Sequence, residues 1–81
     1  MDEKRHTPRH RTLKGGRIAF QGDRAAIQCT IRNLSDEGAC LVVESPVGIP
    51  DTFHLVFDEG EPDRQCKVVW RTKDRLGVAF L

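Results

Sequence analysis

From residue 15 onward the apolar residues recur at every second position, in short runs cut by glycine, proline and acidic turns. A period of two marks half-buried strands, not helices. Residues 17–21 alternate and stop at the turn signal Gly22-Asp23, and residues 26–33 put Ile27, Cys29 and Ile31 on one face with Gln28, Thr30 and Arg32 on the other. Leu34-Ser35-Asp36-Glu37-Gly38 interrupts with turn formers before a β-branched run over 39–44. A loop with Pro46, Gly48 and Pro50 leads to a strand over 52–57, with Phe53, Leu55 and Phe57 inward and His54 outward. After the acidic turn 58–63, residues 64–71 set Cys66, Val68 and Trp70 against Gln65, Lys67, Val69 and Arg71, and residues 75–81 close the chain. Six short strands without a 3.6-residue stripe predict an all-β fold. A small six-stranded antiparallel barrel buries one face of each strand and hides the edges. Trp70 is expected as a core plug, and Gly77 suits a bulge or a close backbone approach.

Residues 1–14 behave differently. They lack apolar periodicity, and Pro8 disfavours helix at Thr7. The expected organisation is therefore a flexible basic N-terminal arm over 1–14 and a barrel over 15–81, with no C-terminal helix. Charge sharpens the division: residues 1–24 hold seven Lys/Arg against three carboxylates, whereas the remainder holds six against nine. A basic arm on a mildly acidic body points to an anionic partner.

Length sets further bounds. A chain of 81 residues buries only about 60% of its unfolded surface, so a deep catalytic cavity would consume core it cannot spare. No run of 18 apolar residues occurs and the start, Met1-Asp2-Glu3-Lys4-Arg5, is charged. The expectation is a cytoplasmic protein without membrane insertion. Cys29, Cys40 and Cys66 are odd in number and widely spaced, which fits small buried hydrophobes better than disulfides or a metal knuckle.

Catalytic constellations are absent from the pattern. There is no Tyr, His6 and His10 flank Pro8 with no carboxylate or cysteine to complete a metal site, and the carboxylates of 58–63 lack cation-loop spacing. Neither phosphate-cradling nor dinucleotide glycine motifs occur. The expectation is no enzyme, no metal and no cofactor.

Two motifs remain. Arg5 and Arg9 form R-x-x-x-R in the arm, two planar forks able to grip phosphate oxygens or a guanine edge. Asn33, Ser35 and Gly38 form N-x-S-x-x-G between the second and third strands. There they act as turn residues or as a polar shelf for a ligand. Taken in this order, and followed by V-V-W-R at 68–71 and L-G-V-A-F at 76–80, they make residues 4–81 resemble the PilZ domain, a bacterial receptor module for cyclic di-GMP.

The resemblance implies a six-stranded barrel with the nucleotide on its outer surface, between arm and strand junction. It assigns Arg5 and Arg9 to the ligand's phosphates and guanine edges, Asn33 and Ser35 to a guanine and its sugar-phosphate region, and Gly38 to keeping the junction open. Arg11 is a further candidate for phosphate contact. Ordering of the arm by the ligand would signal to a downstream protein that the sequence does not identify. Lys4 stands where many members have arginine, and Asn33 where aspartate is the other common choice; both lower the capacity for charge-assisted forks. Without the family's C-terminal helix, the barrel's open side invites a homo-oligomer. Two other readings exist: a degenerate protein-interaction module that binds no nucleotide, and a small-barrel binder of single-stranded nucleic acid. The second is disfavoured by the lack of an outward aromatic ladder and by the net charge of +1.

Overall fold

A computed structural model describes residues 13–22 and 24–81. It contains six strands: β1 (Leu13–Phe20), β2 (Ala25–Arg32), β3 (Gly38–Val42), β4 (Thr52–Phe57), β5 (Arg64–Arg71) and β6 (Arg75–Phe80). They form a closed antiparallel barrel in the order β1-β2-β3-β6-β5-β4, with β4 returning to β1 through pairs such as Gly16 with Phe57 and Ile18 with Leu55. No helix occurs among the described residues. The fold is the one the alternation predicts, and closure leaves no free edge.

Alternation sorts the side chains. Ile18, Ile31, Leu41, Leu55, Leu76 and Cys66 are fully enclosed, joined by Phe53 and Phe57. Ile49, from the loop between β3 and β4, is also buried in this core. Among the described residues no polar or charged residue is buried, so the interior carries no desolvated group in need of a partner. Outside, Arg71 anchors the β3–β4 loop, donating to Asp51 Oδ1 at 2.8 Å and to the Pro46 carbonyl at 3.4 Å.

Three details differ from the pattern. β1 starts at Leu13 and runs through Gly15 and Gly16, with Leu13 opposite Arg32 and Lys14 opposite Ile31. A Cβ on Gly16 would meet Ile31 Cδ1 at 2.7 Å and the Val56 carbonyl oxygen at 2.8 Å, so this glycine permits close packing inside a strand instead of preceding one. β5 carries a register shift between Val68 and Trp70, where Val68 faces Val78 and Trp70 already faces Gly77. The extra residue, Val69, breaks the alternation. Trp70 is consequently 46% exposed on the outer wall, which corrects its expected role as a core plug. Cys29 and Cys66 are buried as expected, while Cys40 is only half-buried.

Candidate functional site

β2 ends at Arg32 and the chain turns through Asn33, whose φ of 53° lies in the left-handed region. Asparagine tolerates that region better than other side-chain-bearing residues. Ser35 then holds the turn. Its N–H donates to the Gly38 carbonyl at 2.9 Å, and its Oγ accepts from the N–H groups of Glu37 at 3.2 Å and Gly38 at 3.3 Å. The Ser35 hydroxyl also lies 3.3 Å from the Gly38 carbonyl, to which it donates. Gly38 opens β3 against β6 so closely that a Cβ would fall 2.1 Å from the Val78 carbonyl oxygen. Phe80 N–H donates to the Glu37 carbonyl at 2.8 Å and fastens the turn to the end of β6. Asn33, Ser35 and Gly38 thus share one small, tightly bonded junction.

The junction lines an open depression of about 1250 Å³, whose lining also includes Arg64, Trp70 and Gly77. The indole of Trp70 lies directly over Gly77, with its Cε2 2.1 Å from where a Cβ would stand. Glycine is required there by this close approach, and the half-exposed ring presents π surface to the depression. Cys40 and Ala79 add small groups to the lining.

Charge is distributed unevenly around the rim. Lys14 donates to a Glu61 carboxylate oxygen. That hydrogen bond holds the Lys14 ammonium above the ordinary lysine range, against partial desolvation that lowers it, with the charges of Glu61 and Glu59 adding to the rise. Asp36 and Glu37 belong to the junction lip. The Arg64 guanidinium lies over the Phe80 ring, 4.2 Å from its centroid.

Arg5, Arg9 and Arg11 lie outside the described residues. The described chain nevertheless begins beside the junction, because Leu13 pairs with Arg32, the residue before Asn33. Trp70 and Arg64 are the wall residues that the sequence reading did not assign to the site. Trp70 was hidden by the bulge. Arg64 had a signal in the sequence, a cation at the head of the inward stripe that continues with Cys66 and Val68. Among the described residues no group of His, Cys, Asp and Glu is arranged to hold a metal ion. The family model described as PilZ domain matches residues 3–81. Among curated proteins, none matches the chain.

Proposed function

The chain belongs to the PilZ domain family, whose members are non-catalytic receptor modules, typically for cyclic di-GMP, and on that premise we propose that it is a cyclic di-GMP receptor working through Arg5, Arg9, Asn33, Ser35 and Gly38. The observation that carries this reading is the pairing of Leu13 with Arg32, which joins the R-x-x-x-R segment to the barrel at the N-x-S-x-x-G junction. Arg9 is four residues from Leu13 and Arg5 eight, giving tethers of at most about 14 and about 29 Å. Both span a distance suited to a dinucleotide seated in the depression, and Arg11 is closer still.

The chemistry of the two partners is complementary. The ligand carries two phosphate charges and two guanine faces. Arginines on the arm supply forks for the phosphates, the Asn33 amide supplies an acceptor and donors for a guanine edge, and Trp70 supplies a ring on which a base stacks. Docking the arm across the ligand builds a surface that a downstream protein reads. The cost of fixing each arm residue, about 1–2 kcal/mol, limits net affinity to roughly the micromolar range, about −8 kcal/mol.

The test is a titration of isotope-labelled protein with cyclic di-GMP, using GTP and linear pGpG as controls. Saturable shifts at residues 4–11 and 33–38, and at the Trp70 indole, are expected with the cyclic dinucleotide alone. Arg9→Ala should cost about 1.5–3 kcal/mol of binding in calorimetry, the scale of a charge-assisted hydrogen bond, and an unchanged affinity removes Arg9 from the site. Absence of shifts at millimolar ligand would favour the interaction-module reading, for which the hydrogen bonds of Ser35 within its own turn provide a purely structural role.

A further inference from the structure

Two strands begin their inward-facing stripe with a cation. In β1 the series is Lys14, Gly16, Ile18, and in β5 it is Arg64, Cys66; Gly16, Ile18 and Cys66 are buried. Both cations therefore stand at one end of the barrel, where interior gives way to solvent, and both line the depression. Their circumstances differ. Lys14 is neutralised by Glu61. Arg64 has no carboxylate within 4.0 Å and no hydrogen-bond acceptor for its guanidinium among the described residues. One face of its guanidinium is covered by Phe80 instead.

Phe80 is itself fixed. It pairs with Cys66, its N–H donates to Glu37, and the following Leu81 N–H donates to the Gln65 carbonyl at 2.9 Å. The end of β6 is thereby clamped between the junction lip and the start of β5. A guanidinium held over a clamped ring is restricted in its motion while having no acceptor for its N–H donors among the described residues. This is the arrangement in which arginine surpasses lysine for a planar or forked acceptor, because less motion is lost on binding. Asp36 and Glu37 on the lip disfavour a diffuse anion site and leave Arg64 as a directed contact.

We propose that Arg64, oriented by Phe80, is a phosphate-contacting residue of the barrel wall, a preorganised anion seat that acts alongside the arm arginines. The inference rests on the receptor reading for the identity of the ligand, a cyclic dinucleotide. It does not rest on that reading for the chemistry of the seat.

Calorimetry with cyclic di-GMP on wild type, Arg64→Gln, Arg64→Lys, Phe80→Leu and the Arg64→Gln/Phe80→Leu double variant tests it, with amide spectra checking that each barrel is intact. Arg64→Gln should weaken binding at least tenfold. Arg64→Lys should weaken it at least fivefold, since charge alone does not replace the fork. Phe80→Leu should weaken wild type severalfold yet add nothing in the Arg64→Gln background, as required of a positioning residue acting through Arg64. An Arg64→Gln affinity within twofold of wild type overturns the proposal. If wild type shows no binding to cyclic di-GMP, the receptor reading fails separately. Inorganic pyrophosphate is then the probe: a saturable shift of the Arg64 Nε–H resonance supports the anion seat, and its absence overturns it.

Discussion

The barrel interior and the depression on its wall obey opposite rules. Inside, aliphatic and aromatic side chains meet with no buried polar residue among those described. At the depression the rules are broken together. A bulge turns Trp70 outward over Gly77, Asn33 adopts a left-handed backbone, and Arg64 heads an inward stripe. Departures from local preference are thus gathered in one place. In the interior, stability governs the choice of residue; at the depression, shape and donor geometry do.

The sharpest break in that comparison comes from cutting the interior. Leu55 is fully enclosed, and Leu55→Ala should cost about 2–5 kcal/mol in urea denaturation, a large share of the roughly 5–15 kcal/mol that holds a domain together. Val47, 85% exposed in the β3–β4 loop, should change by no more than about 0.5 kcal/mol when truncated to alanine. A Leu55→Ala loss below about 1 kcal/mol would mean that the core tolerates collapse and that closure of the sheet, not filling, dominates stability.

The cysteines sharpen the same contrast at smaller scale. Burial pushes the Cys29 thiol up to about 12 and the Cys66 thiol up to about 11, whereas an unfolded thiol ionises near about 8.5. Because the folded values are raised, the stability tied to the neutral thiols is complete below about pH 8.5 and is lost as pH rises toward the folded values. In that window each thiol lowers stability by at most about 1.4 kcal/mol per pH unit. The Lys14–Glu61 pair acts in the same sense at higher pH, since the Lys14 value is also raised. Cys29→Ala should therefore flatten the alkaline slope by one thiol's share in denaturation curves between pH 9 and 11. In native protein, a thiol reagent should modify half-buried Cys40 and spare Cys29 and Cys66. Equal labelling of all three would show that the interior opens as readily as the wall.

What the sequence disclosed follows the same boundary. Strand positions and inward residues such as Phe53, Leu55 and Phe57 were legible because alternation is a local property, written along each strand. The junction motif was legible as spacing. The wall was not, because it is made by pairing across the sheet. Trp70 reaches the depression through one extra residue in β5, and alternation gives no sign of where a bulge falls. Gly16 falls outside the alternating run 17–21 because its reason, the nearness of Ile31 and Val56, lies on two other strands. Arg64 lines the depression with Phe80 of β6 beneath its guanidinium, a neighbour that the strand pattern does not show.

Ser35 gives a small effect and the finest division between the two regions. Its hydroxyl accepts from Glu37 and Gly38 N–H groups at 3.2 and 3.3 Å in an exposed turn, so water can replace part of what Ser35→Ala removes. The stability loss should be about 0.5–1.5 kcal/mol, well below that of Leu55→Ala. If Ser35 serves the turn alone, nucleotide affinity should follow only the small displacement of Asn33 and Gly38, and Ser35→Gly should behave like Ser35→Ala. If its hydroxyl also meets the ligand, the loss in binding should exceed the loss in folding and persist at low temperature, where the turn is fully formed. Measuring both quantities on one variant separates the hydroxyl's service to the fold from any part it takes in binding.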